Sequence, residues 1–191
     1  QLASQYNDAQ ALAERMLKRN PNDVEAHILL ANALAGLKDM DGAVSNFEKA
    51  VELDPNRSST YSELGTVHMV TGNKNAAGAA FRKAIEIDPK SAGAHLSYSN
   101  FLWANGDLPQ AEQEMRKALE IDPRNTTGNR AMAMYYMVTN RPADAEPHLK
   151  IVAETMPGPE AKYFLAEYYL RLGRIDDARV TLQPLLKDDA A

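Results

Sequence analysis

The chain has 191 residues, 45% of them hydrophobic and 25% charged, a balance ordinary for a folded protein of one or two domains with a sizeable core. Its 26 acidic and 21 basic side chains give a net charge of −5, which argues against nucleic-acid binding. With no cysteine, disulfide frameworks, thiol nucleophiles and thiolate-bound zinc are excluded. No stretch reaches the roughly 20 apolar residues of a membrane span, and no signal peptide is visible. The chain opens on Gln1 rather than methionine, which reads as a processed or shortened chain.

The sequence repeats itself. Ala9, Ala43, Ala77, Ala111, Ala145 and Ala178 recur at steps of 34, 34, 34, 34 and 33, and Pro21, Pro55, Pro89, Pro123 and Pro157 all stand 34 apart. Phe47, Phe81, Met115, Leu149 and Leu182 mark the same period. Such self-similarity is the sign of a stacked repeat architecture.

In chain order, a helix near 9–20 carries Leu12, Met16 and Leu17; residues 1–6 are too short to give it a partner, so 1–23 is a half repeat. Five repeats follow: 24–57, 58–91, 92–125, 126–158 and 159–191. First helices are predicted near 24–37, 58–71, 92–105, 126–139 and 159–172, from apolar spacings such as Ala26, Leu29, Leu30, Ala33, Leu34, Leu37. Second helices fall near 41–54, 75–88, 109–122, 143–156 and 176–187. Each proline of the period then stops a helix, since it lacks the amide hydrogen. Gly72, Gly106, Asn140 and Gly173 sit between the two helices, where a left-handed residue commonly ends a helix. Asp107 before Pro109 reads as an N-cap followed by a first-turn proline. Pro147 and Pro184 fall inside predicted second helices, and Pro184 is expected to bend or end its helix. Ala31, Gly65, Ser99, Ala133 and Ala166 are small where a neighbouring helix must approach. A lone hairpin cannot bury its apolar face; stacked hairpins share one core.

This pattern resembles the tetratricopeptide repeat family over nearly the whole chain. The 58–91 repeat carries the resemblance in Tyr61, Leu64, Gly65, His68, Ala77, Phe81, Ala84 and Pro89. The resemblance implies an all-α fold: a right-handed α-solenoid of stacked antiparallel helix hairpins, forming one domain over 1–191. It also implies a concave face lined by first helices that binds a peptide or extended segment of a partner protein. One stripe on that face is Asn32, Thr66, Asn100 and Met134; a second is Ala35, Met69, Trp103 and Met137; Ser62, Leu96 and Arg130 lie one turn earlier. Asn32, Thr66, Met69, Asn100, Trp103, Arg130, Met134 and Met137 are the candidate peptide-binding residues. Asparagine amides donate and accept together, and methionine beside tryptophan makes an adaptable apolar wall. The carboxylate clamp of some family members is not expected, because Ile28, Asn32, Glu63, Gly93 and Ser97 hold its places and only Asn32 fits.

Catalysis is not expected. No metalloprotease, nucleophile-elbow or phosphate-loop motif occurs. His27 and His95 are two repeats apart, too far to share a metal when each packed helix adds about 8–10 Å, and His68 occupies a packing position. The acidic turns Glu52–Pro55, Glu86–Pro89 and Glu120–Pro123 lie in separate turns and do not converge on a cation. No cofactor is expected. The expected role is a binding scaffold, with two alternatives: an assembly element that self-associates through uncapped ends, where Leu182, Leu185 and Leu186 lack a polar cap, or an accessory domain of an enzyme. The expected setting is a soluble one, in bacterial cytoplasm or periplasm.

Overall fold

The computed structural model describes residues 2–185. Among them are eleven helices and no strand: α1 (Leu2–Arg19), α2 (Val24–Gly36), α3 (Met40–Leu53), α4 (Ser58–Val70), α5 (Lys74–Ile87), α6 (Ala92–Ala104), α7 (Leu108–Ile121), α8 (Thr126–Val138), α9 (Pro142–Thr155), α10 (Glu160–Arg171) and α11 (Ile175–Leu182). The fold is an all-α solenoid of helical hairpins. The even-numbered helices are the first helices of the five repeats. The chain divides after Glu114 into two compact blocks. In the first, α2 packs on α1 and α3, α4 on α3 and α5, and α6 on α4 and α5. In the second, α8 packs on α9, and α10 on α9 and α11.

Helix bounds follow the sequence period closely, except at the two ends. The helix expected at 9–20 begins at Leu2, because nothing before Asn20 breaks it. The added turns put Tyr6 against Gly36, so closely that a β-carbon there would overlap the ring. Ala13 is fully buried, whereas Leu12 stays exposed. At the other end α11 stops at Leu182, two residues before Pro184, which cannot donate to the carbonyl of Val180. Gln183 and Pro184 form a turn, and residues 186–187 of the helix expected to 187, with Leu186, lie outside the described residues. Pro147 is accommodated inside α9; it stands early in the helix and deprives only the carbonyl of Ala143 of an intrahelical donor.

Every hairpin turns by one backbone device. Lys38, Gly72, Gly106, Asn140 and Gly173 all have φ between 59° and 83°, and Lys38 supplies the left-handed residue that no glycine or asparagine marks in the first full repeat. The next amide reaches back to a carbonyl five residues earlier: Asp39 to Leu34, Asn73 to His68, Asp107 to Leu102, Arg141 to Tyr136 and Arg174 to Tyr169, at 2.7–2.9 Å. The left-handed residue itself donates to Ala35, Met69, Trp103, Met137 or Leu170. These two bonds satisfy carbonyls that a helix end otherwise leaves open.

The second helix is then started in one of two ways. Asp39, Asn73 and Asp107 accept the amides of Gly42, Ala76 and Gln110 as side-chain caps. Arg141 and Arg174 replace the cap. Each guanidinium lies 4.6 Å from a tyrosine ring, Tyr136 or Tyr169, and pairs with an aspartate three residues on, Asp144 or Asp177.

Phe47, Phe81, Met115 and Leu149 are buried in their repeats, as are Ala43, Ala77, Ala111, Ala145 and Ala178. The small residues permit close approach: a β-carbon on Gly65 would lie 2.9 Å from the Phe81 ring.

A polar bridge recurs across repeats. His27 of α2 places Nδ1 2.9 Å from Asn46 Oδ1 of α3 and Nε2 3.0 Å from the carbonyl of Pro21. His95 of α6 does the same with Glu114 of α7, at 2.6 Å, and Pro89 O, at 3.1 Å. In the 126–158 repeat the residue types are exchanged. Asn129 of α8 donates to Pro123 O at 3.0 Å and accepts from His148 of α9 at 2.8 Å. Burial and the nearby Arg116 charge hold the His148 pKa below its ordinary value, which suits a neutral ring donating from Nδ1. Each bridge joins the incoming proline turn, the first helix and the second helix.

Because both orders of residues close the same bridge, exchanging His27 and Asn46 tests it. Each of His27→Asn and Asn46→His should cost about 1 kcal/mol in urea unfolding, and the double variant should recover to within about 0.5 kcal/mol of the parent. A double variant as unstable as the two losses added would show that the bridge does not set stability.

A second test concerns Glu146 of α9. Hydrogen bonds from Arg174 first, then Lys150, with a further one from Tyr169, lower its pKa to about 2. Its stabilising contribution is therefore complete above about pH 4.5 and is lost as pH falls toward 2. Melting temperature should fall more steeply over that window in the parent than in Glu146→Gln, and equal slopes would contradict this account.

Candidate functional site

The turn fixes the phase of the candidate binding face. Ala35, Met69, Trp103 and Met137 are the residues whose carbonyls receive the left-handed residue's amide, so each sits at a set angle on its helix. Asn32, Thr66, Asn100 and Met134 precede them by three residues and share their face.

In the first block Asn32, Thr66 and Asn100 are exposed, while Met69 and Trp103 are half-buried. Thr66 donates its hydroxyl to Ser62 O, at 2.9 Å, within α4. Asn32 stands near Glu63, a residue whose place in the sequence marks only a mismatch to the clamp. Burial raises the Glu63 pKa despite the opposing effects of the Arg57 charge and of the Asn32 amide. Arg57 in turn is ion-paired with Glu25. Leu96 is core, 7% exposed, and Ser62 Oγ is buried without a hydrogen-bond partner. A polar hollow in this block is lined by other residues, among them Lys74, Arg82, Tyr98 and Asp107.

In the second block the structure brings Arg130 and Met134 together. They line a cavity of about 350 Å³ with Leu149, Val152, Met156, Glu160, Ala161 and Phe164. Leu149, Val152 and Ala161 are buried at 2–5% and make its floor; Met134 and Phe164 are 51% and 48% exposed. Met137 borders a much smaller hollow beside Phe164, Tyr168 and the Glu167–Arg171 ion pair. Phe164 and Met156 were not candidates from the period: Phe164 lies off the three rows of first-helix positions it selects, and Met156 follows the second helix α9. No group of three or more histidine, aspartate or glutamate side chains among the described residues is arranged to hold a metal. The turn aspartates Asp54, Asp88 and Asp122 instead accept the amide two residues on, at 3.0–3.3 Å. None of the described helices is long and apolar enough to cross a membrane.

Stacked helical hairpins with a 34-residue period and a recurring exposed face define a repeat scaffold of the protein-interaction type. The sequence patterns of tetratricopeptide repeats match residues 3–58 and, in a second form, residues 72–135 and 139–191; the chain belongs to the tetratricopeptide repeat family. Solved structures similar to it include PilW, a type IV pilus biogenesis factor, at 20% identity with a TM-score of 0.76, covering 98% of this chain and 87% of that one. TTC0263, a thermophilic tetratricopeptide repeat protein of Thermus thermophilus, matches at 23% identity and TM-score 0.65, covering 86% and 91%. YrrB, a tetratricopeptide repeat protein with an unusual peptide-binding site, matches at 20% and 0.60, covering 90% and 89%. Comparison with curated proteins gives no match.

Glu63 yields a prediction on this face. A carboxyl whose pKa is raised on folding contributes its stability below the unfolded value, and that stability is lost as pH rises through the folded one. Glu63→Gln should therefore raise the melting temperature near pH 7 and leave it nearly unchanged near pH 3. A variant less stable than the parent at pH 7 would show that Arg57 and Asn32 outweigh burial.

Proposed function

We propose that this chain is an adaptor that holds an extended segment of a partner protein against its first helices and performs no chemistry of its own. The binding residues in this reading are Asn32, Thr66, Met69, Asn100, Trp103, Arg130, Met134 and Met137. The observation that carries it is α6, where the exposed amide of Asn100 and the half-buried ring of Trp103 stand one turn apart. An amide that donates and accepts suits a partner's backbone, and an aromatic beside it suits an apolar side chain. The face recurs at the same angle in neighbouring repeats because the turn sets it. The peptide-binding site of YrrB, a protein of similar fold, supports the same use. A bacterial setting, in cytoplasm or periplasm, belongs to this proposal, and the Thermus thermophilus relative supports its bacterial part.

The test is peptide binding by the parent and by Asn100→Ala/Trp103→Ala. Peptides selected from a displayed random library should bind the double variant at least about tenfold more weakly, the loss of a central contact. Equal binding of every selected peptide would refute the groove.

A further inference from the structure

The cavity beside Arg130 is built by departures from the repeat. Met156 stands where Asp54, Asp88 and Asp122 stand in the other repeats, and those aspartates serve their own turns. Met134 stands in the register of Asn32, Thr66 and Asn100. Phe164 stands in the register of Glu63, Ser97 and Ala131, the three repeats before it; Leu29 alone is also large there. Arg130 takes the place of Ile28, Ser62 and Leu96. Three polar or small positions have thus become large and apolar, and one uncharged position has become cationic, around a single opening. Hairpin packing does not demand this, since other repeats close with Asp, Asn, Thr or Ser at those places.

The rim is equally specific. Arg130 is exposed and makes no hydrogen bond or ion pair among the described residues. The Glu160 carboxylate folds back over Gly158 at the start of α10, where the helix N-terminus favours a negative charge. Arg130 is the one cation lining the cavity and has no carboxylate partner among the described residues, so it can meet an acidic group of a ligand. A cavity of about 350 Å³ is at the small end of ligand sites, which run from about 300 Å³, and two methionines give it walls that adapt to shape.

We infer that this cavity is a side-chain pocket for a partner's extended segment. It takes one large aliphatic or aromatic residue between Met134, Met156 and Phe164, and an acidic residue next to it pairs with Arg130. The inference rests on the adaptor reading and names what the segment must carry.

The decisive protein is the register exchange Met134→Asn/Met156→Asp/Phe164→Ser, which installs residues that other repeats already hold there. Peptides selected on the parent from a displayed random library should share a large apolar residue beside an acidic one. They should bind the register exchange roughly thirtyfold more weakly or worse, with its helical circular dichroism unchanged. Selection on Arg130→Glu should replace the acidic neighbour by a basic one; this surface variant decides the question alone if the register exchange does not fold. Selected peptides that bind the register exchange as tightly as the parent overturn the pocket. If these peptides still lose affinity for Asn100→Ala/Trp103→Ala, the groove stands without the pocket. No selected peptide at all overturns both. A dimer by light scattering that the register exchange dissolves overturns the peptide in favour of a second copy.

Discussion

The rest of the structure depends on one turn. A hairpin of two short helices buries its apolar faces only if the second helix leaves the first at the right phase. Here one left-handed residue and two backbone hydrogen bonds set that phase five times over. For a residue with a β-carbon the left-handed state costs about 1–2 kcal/mol, which is why glycine fills three of the five places. Lys38 and Asn140 fill the others. With the phase fixed, Ala31, Gly65, Ser99, Ala133 and Ala166 fall where helices press together, and all five are buried.

In three of the five repeats, polar groups then tie the hairpin to the turn before it. Apolar packing alone is tolerant of small slips; a bridge that needs a proline carbonyl, a ring nitrogen and a side-chain oxygen within 2.6–3.1 Å is not. Nearly buried polar groups such as His95 and Asn129, at 3% and 1% exposure, are costly unless satisfied, so correct stacking is favoured over displaced stacking. The 58–91 repeat has Tyr61 and Ala80 at these places and closes without the bridge. The same economy governs the second-helix starts, where an arginine held by a tyrosine and an aspartate replaces a side-chain cap.

A scaffold of this kind separates stability from recognition. The residues that close hairpins are repeated and buried; the residues of the outer face of the first helices vary from repeat to repeat and stay partly exposed. That freedom lets the 126–158 and 159–191 repeats assemble an apolar pocket with Arg130 at its rim, at positions that other repeats fill mostly with polar or small side chains, without disturbing the turn.

The sequence by itself determined the helices, their pairing and their turns, because these follow from local spacing: alanine and proline at 34-residue steps, a glycine or asparagine between helices, a cap at Asp107. It also placed a bend or end at Pro184, where α11 stops at Leu182. It was silent on Lys38 as a turn residue, since lysine carries no left-handed preference, and on α1 reaching back to Leu2, since the contact that uses those turns, Tyr6 against Gly36, joins distant positions. Tertiary structure alone decided which histidines bridge which oxygens nineteen residues away. It also decided that Leu96 is core, and that Met156 and Phe164 meet Met134 around one opening. Those outcomes depend on side chains from different helices meeting in space, which no period along the chain encodes.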